Sequence, residues 1–294
     1  MKLSKVVIIL VMLSATGVMY VTINSTDHQK TARPSPVYKH FQKDLSVSQK
    51  FPENGVNTEK QVRQKWEGHA EEADEWGERV SGVKNRIETD EKVVALTFDA
   101  CGGPFGDEYD EELIDFLREE SIPATLFFNA RWISSNEQVF KDLADDPLFS
   151  VQNHGTEHLP LSVAGKTAWG IEGTGSVEEV IDEIMINQSL IEEMTGERPE
   201  FFRSGTAYYD NIAVEVIEDL GLTAVNYDVL GDAGATYSAE QVKESLLSVS
   251  PGSIPLLHMN QPSSGTAEGV KKAIPELRAA GYSFVLLDGQ KLTE

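Results

Sequence analysis

A chain of 294 residues, 40% hydrophobic and 25% charged, is long enough to bury one large core and is not of disordered composition. Its formal net charge of −23 excludes a nucleic-acid binder, which needs Lys and Arg to displace counterions from phosphates; anionic polymers and lipid surfaces are poor partners for the same reason, and a neutral or cationic substrate is favoured. A single cysteine, Cys101, excludes an intrachain disulfide framework and a cysteine-based zinc ribbon.

At the amino end Lys2 and Lys5 precede an uncharged apolar run over 6–23. The run fits a signal peptide or an N-terminal membrane anchor over 1–24. The lysines would stay on the cytoplasmic side, so the remainder is expected to be exported and either tethered at the outer face of the cytoplasmic membrane or secreted. Residues 25–57 are polar, contain Pro34, Pro36 and Pro52, and read as a linker. Over 58–83, Val62, Trp66, His69, Ala73, Trp76 and Val80 recur at helical spacing, which predicts one amphipathic helix within an extension over 58–89. His28, His40 and His69 lie in these appendages and take solvated or packing roles.

From residue 90 to 294 strand and helix patterns alternate. Apolar runs at 93–98, 124–128, 148–151, 200–202, 222–225, 253–257 and 284–287 are separated by helical periodicity at 110–119, 177–194, 211–220, 239–248 and 268–280. Strands spaced by room for crossover helices imply a parallel sheet, and the fold class expected is α/β, a distorted, incomplete (β/α)7-type barrel. Gly196, Gly221 and Gly281 stand where helix C-caps belong.

Asp99, His154, Arg203, Asp228 and His258 all follow apolar runs, so a closed parallel barrel brings them to one rim. Each alone has a structural explanation, as a cap, a packed ring or a salt-bridge partner; five polar endings on one rim are hard to explain as packing. His154 and His158 stand four apart, a spacing that on one helical turn puts both rings within reach of one metal ion. A divalent ion there would polarise a carbonyl and lower the pKa of a water. Asp99 is then placed to take a proton and His258, from the far side of the rim, to give one.

Thr97-Phe98-Asp99, His154-Gly155-Thr156-Glu157-His158, Phe202-Arg203-Ser204-Gly205-Thr206, Tyr227-Asp228 with Asp232, and Leu256-Leu257-His258 resemble, in order and spacing, the motifs of the polysaccharide deacetylases of carbohydrate esterase family 4, the NodB-homology domain. The resemblance runs from about Trp76 to Leu287. It implies a metal-dependent hydrolase acting on acetylated sugars. It makes Asp99 the base, His154 and His158 metal ligands, His258 the acid, and Arg203 the residue that orients the base, tethered by Asp228 or Asp232. The metal implied is zinc, with cobalt, nickel or manganese as alternatives.

The sequence departs from the family where a second Asp, a metal ligand, usually follows the first; here Ala100 and Cys101 follow Asp99. Three explanations stay open: Cys101, Asp107 or Glu108 folds back to the metal; Asp99 itself coordinates it; or the site works without an ion. A shared role for Asp99 is favoured, with Cys101 a small packed hydrophobe. Ser204 and Gly205 replace the usual prolines of the third motif, and Ala233 stands where the fourth usually has tryptophan. The glycines near Cys101 lack the Gly-Lys-Ser/Thr ending of a phosphate loop and instead let the backbone pass close to the site. The resulting expectation is an N-deacetylase of peptidoglycan or a chitin-like glycan, with a backbone N–H near Thr206 receiving the oxyanion and Tyr208 facing the sugar. The alternatives are a C–N hydrolase of a small amide and a surface sugar-binding pseudoenzyme. No protein partner is inferable.

Overall fold

The computed structural model describes residues 58–69, 72–104 and 106–294, together with the backbone at 13–14 and 17–18. Leu13–Ser14 pairs antiparallel with Gly17–Val18; the rest of the expected leader or anchor, and the linker over 25–57, lie outside the described residues. Among the described residues no helix is long and apolar enough to cross a membrane. The chain divides into 1–47 and 48–294, and all the motifs above lie in the second unit.

That unit is organised by seven parallel strands: β1 (Thr97–Ala100), β2 (Ala124–Phe128), β3 (Phe149–Asn153), β4 (Phe201–Phe202), β5 (Thr223–Ala224), β6 (Val229–Leu230) and β7 (Pro255–His258). Their order is β5-β4-β3-β2-β1-β7-β6. β1 and β2 are buried along their whole length, as continuous apolar strands covered on both faces must be. β5 and β6 are the two edges, yet residues 225–228 alone join them. A flat sheet of this order would hold those edges about 29 Å apart at normal strand spacing, whereas the connection reaches about 17 Å fully extended. The sheet is therefore curled into an incomplete barrel, and residues 84–86 lie along the gap, bridging Lys84 to Val225 and Arg86 to Ser253.

The crossovers are α2 (Glu111–Glu119), α3 (Ala130–Ser135) with α4 (Glu137–Ala144), α5 (Val177–Thr195), α6 (Asn211–Asp219) and α7 (Ala239–Leu247), and α8 (Thr266–Ala279) follows β7; all come after α1 (Glu59–Trp66) in the chain. Ser176 and Ser238 cap α5 and α7 with their hydroxyls, and Gly196 ends α5 at φ 75°, where a side chain would be strained.

Three expectations change. The amphipathic extension is helical only from Glu59 to Trp66. Gly68 then turns the chain at φ 72°, and Trp76–Gly77 instead pairs antiparallel with Tyr209–Asp210. The predicted strand at 284–287 lies outside the barrel sheet, since Ser283–Phe284 pairs with Val93–Val94. The seventh strand is instead β6, two residues long between Asp228 and Gly231 and too short to carry a hydrophobic period.

Candidate active site

β1 carries the first functional side chain. Strand alternation sends Ala100 to the opposite face, where it is wholly buried, and leaves Asp99 and Cys101 on one side. Asp99 lies within the strand rather than beyond it, paired in register with His258 on the neighbouring β7. The two are thus adjacent across one strand boundary, not at far points of a rim.

Each has its own buried partner. Arg203, wholly buried after β4, donates from Nη1 to Asp99 Oδ1 (2.7 Å), from Nη2 to the Asn226 carbonyl (2.9 Å) and from Nε to the Val225 carbonyl (3.3 Å), and its guanidinium lies 4.2 Å from the centre of the Phe127 ring. Neither expected carboxylate tethers it; the chain between β5 and β6 does so with backbone oxygens. Asp228 is occupied elsewhere, with Arg86, the Ser253 hydroxyl and the Ile254 N–H, where it pins the barrel closure. Asp232 serves His258, accepting from the ring Nδ1 (2.9 Å) and from the His258 backbone N–H (2.7 Å), with the Thr266 hydroxyl as a third donor (2.9 Å). Burial lowers the pKa of His258, but the Asp232 charge and hydrogen bond outweigh it and hold the imidazole well above its ordinary value.

His154 and His158 come together without a helix. They follow β3 in an irregular loop in which Gly155 and His158 both take positive φ (79° and 64°), and the rings meet edge to face with centroids 5.0 Å apart. The loop is wrapped around Glu183, a buried residue of α5 whose carboxylate accepts from the N–H groups of Thr156 (3.1 Å), Glu157 (2.9 Å) and Leu159 (3.1 Å). A Cβ on residue 155 would stand 2.4 Å from a Glu183 oxygen, so glycine is required there. Burial raises Glu183 to about 7 despite those donors. Buried amides complete the frame: Asn129 donates to the carbonyls of His154 and Gly155, and Asn153 accepts from the Gly155 N–H and from Asn187. These residues form no recognisable motif in the sequence. The signal was Glu183, Asn187 and Gln188 sitting among Val180, Ile184 and Ile191 on the core-facing stripe of α5, polar groups that burial tolerates only with partners.

The histidines are left with donor atoms facing one another. His154 Nδ1 lies 2.9 Å from the Arg203 carbonyl, which can only accept, so Nδ1 carries the proton and Nε2 presents its lone pair to the site. That Nε2 is 3.7 Å from Cys101 Sγ and 3.5 Å from Asp99 Oδ2. His158 Nε2 is buried with no hydrogen-bond partner. Among the described residues, Cys101, His154 and His158 form the group whose ligand atoms all lie within 4.8 Å of one another, and such a nitrogen and sulfur set fits a divalent ion. Asp99 is outside that group, and Asp107 and Glu108 are exposed. Against the expectation that Cys101 packs and Asp99 shares the ion, Cys101 stands beside the histidines, and Asp99 Oδ2 also lies 3.5 Å from His154 Nε2. Burial raises the Cys101 thiol, but the surrounding imidazoles of His158, His154 and His258 outweigh it and bring the thiol well below its usual value. Burial lowers His154 too, yet Asp99 and Cys101 raise it overall; burial holds His158 down.

Thr206 sits in a turn closed by the Ala207 N–H on the Ser204 carbonyl (3.0 Å), and its hydroxyl is buried without a partner. Tyr208 packs between Trp76 (5.6 Å) and Trp169 (5.9 Å). Trp169, at the tip of the hairpin Thr167–Ala168/Ile171–Glu172, is 74% exposed.

Comparison with known proteins gives a consistent answer. Residues 86–225 match the Polysaccharide deacetylase family. A peptidoglycan-N-acetylglucosamine deacetylase of Bacillus cereus is 25% identical, over 68% of this chain and 88% of that protein. The uncharacterized protein YlxY of Bacillus subtilis is 23% identical over 66% of this chain, which spans only 56% of it. Among solved structures, a carbohydrate esterase family 4 pseudoenzyme from Bacillus anthracis shares the fold with a TM-score of 0.58 at 23% identity, covering 69% of this chain and 66% of that one.

Proposed function

The chain belongs to the polysaccharide deacetylase family, and on that premise we propose that it is a metal-dependent hydrolase that removes N-acetyl groups from an amino-sugar glycan, peptidoglycan or chitin-like. One observation carries the reading: Asp99 and His258 stand in register on adjacent strands, each fixed by a separate buried partner, beside two imidazoles whose free nitrogens face the same space. A sugar binder has no need of a carboxylate and an imidazole locked separately.

The residues divide the chemistry. Arg203 occupies Asp99 Oδ1, so Oδ2 is the atom that takes a proton from the attacking water. Asp232 occupies His258 Nδ1, which leaves Nε2 to protonate the departing amine nitrogen. The raised pKa of His258 favours the protonated ring, which has that proton to give. The backbone N–H at Thr206 receives the developing oxyanion. His154 and His158 would hold the ion, which when bound polarises the acetamide carbonyl and activates water near neutral pH. Tyr208 and Trp169 offer aromatic faces to the sugar beyond.

A second reading, a sugar-binding pseudoenzyme, draws on Ala100 in place of the family's second Asp and on the likeness to the Bacillus anthracis pseudoenzyme. Acetate release from N-acetylglucosamine oligomers by the full chain separates them. Turnover supports the hydrolase. Binding of oligomers without release supports the pseudoenzyme, and ammonia from small amides in place of acetate moves the substrate to a small C–N bond.

A further inference from the structure

We propose that Cys101 is itself a metal ligand, replacing the carboxylate that Ala100 cannot supply, and that the resulting Cys-His-His centre selects zinc-like ions over manganese and magnesium. The inference rests on the metal-dependent reading above and names the third protein ligand and the ion class.

The backbone places the thiol. Cys101 is two residues beyond Asp99, so strand alternation points it toward the site while Ala100 packs into the core. Just after it the chain turns sharply: Gly102 and Gly103 take φ 69° and 86°, and the Gly102 N–H donates to the Gly106 carbonyl (3.1 Å). A Cβ at 102 would stand 2.5 Å from the Trp132 backbone nitrogen, so the turn presses against α3 and only glycine fits. Arg131 donates to the Cys101 carbonyl (3.0 Å) and Asn260 to that of Gly106 (3.0 Å), which fixes both ends of the turn. A packed apolar cysteine would require none of this.

The donor geometry agrees with coordination. Zinc bound tetrahedrally to sulfur and imidazole holds those two atoms about 3.6 Å apart, given its usual bond lengths; Cys101 Sγ and His154 Nε2 are separated by 3.7 Å. His154 directs its unprotonated nitrogen there because the Arg203 carbonyl holds the other. His158 supplies the independent sign: a buried Nε2 with no partner costs free energy unless something fills the space before it. The rival third ligands fit less well, since Asp99 lies outside the group whose donor atoms converge. Asp99 gives one oxygen to Arg203, and Asp107 and Glu108 are exposed.

The change from oxygen to sulfur has a consequence for the ion. Carboxylate sites accept hard cations such as manganese and magnesium, whereas a thiolate with two imidazoles favours zinc and cobalt.

The test uses the full chain, stripped with a chelator and reloaded with zinc or with cobalt. X-ray absorption of the zinc form should show one sulfur at about 2.3 Å beside lighter ligands at about 2.0–2.1 Å, and the cobalt form should show a thiolate-to-metal charge-transfer band in the near ultraviolet. Cys101→Ala should abolish that band and weaken zinc binding by more than about 100-fold, beyond the loss typical of an outer-shell partner. Cys101→Asp should recover zinc binding but accept manganese comparably. A nitrogen and oxygen shell in the parent chain, with zinc affinity unchanged in Cys101→Ala, would overturn the role of Cys101 while leaving a metal-dependent hydrolase intact. Acetate release that persists after complete stripping would instead remove the reading beneath it.

Discussion

Two halves of one site are built on opposite plans. On the β1–β7 side each functional side chain is anchored through one atom, Asp99 by Arg203 and His258 by Asp232, itself held by Thr266, and the other atom, Asp99 Oδ2 or His258 Nε2, stays outside those bonds. On the β3 side the frame is just as complete, with Glu183 and three buried amides fixing the loop backbone, yet the side-chain donors of Cys101, His154 and His158 converge and His158 Nε2 is left unpaired. On the proposed function, the difference separates two tasks. Proton carriers need fixed orientation and tuned affinity, which neighbours in the protein provide; ligands need a fixed backbone and free lone pairs, which an ion completes.

The comparison is broken most severely on the side of the proton carriers. Asp99→Asn and His258→Ala should each lower turnover by about 10² or more in acetate-release assays. Asp99→Asn should also reduce stability in denaturant melts, by roughly 3 kcal/mol, because it strands the buried Arg203 charge. Parent-like turnover in either variant would remove that residue from the reaction.

Asp232→Asn should act through pH. A general acid works while protonated, and the raised pKa of His258 keeps it so above the ordinary imidazole range. The basic limb of kcat/KM in the parent should therefore lie above that range and move to lower pH in the variant, where the Asp232 charge no longer offsets burial of the ring. An unmoved limb would show that His258 is not the group being titrated.

Glu183→Gln sharpens the other half. Its folded pKa of about 7 lies above the 4.5 of an ordinary Glu, so the unfolded chain releases this proton first as pH rises. Its contribution to stability is full below 4.5, declines between 4.5 and 7, and is gone above, a loss of roughly 3 kcal/mol. The variant should flatten that segment of the stability–pH curve; an identical slope would mean the carboxyl is ionised in the fold at all these pH values. The smallest effect is expected at the aromatic hairpin: Trp169→Ala should raise KM for oligomers about 5-fold, the equivalent of about 1 kcal/mol of ring stacking, and leave kcat unchanged.

What the sequence revealed follows the same division. Strands β1 to β5 and β7, the main helices and the motif residues Asp99, His154, His158, Arg203 and His258 were legible because apolar period and polar strand endings are local signals. Partnerships were not. The pairing of Asp232 with His258 and the release of Asp228 to Arg86 depend on the barrel closing through residues 225–228, a long-range fact. The helical reading of the two histidines failed because spacing of four is equally compatible with a loop folded around Glu183. The placement of Cys101 beside the two histidines was not legible because alternation beyond the end of β1 is invisible until Ala100 is seen to face the core.

The central claim is that the converging donors of Cys101, His154 and His158 exist to hold an ion the reaction needs. Stripped full-length chain, titrated with zinc while acetate release from N-acetylglucosamine oligomers is followed in the same sample, tests it directly. Turnover should be negligible in the stripped protein, rise in proportion to bound zinc and level off at one ion per chain. Full turnover in the stripped chain, indifferent to added zinc, would contradict the account.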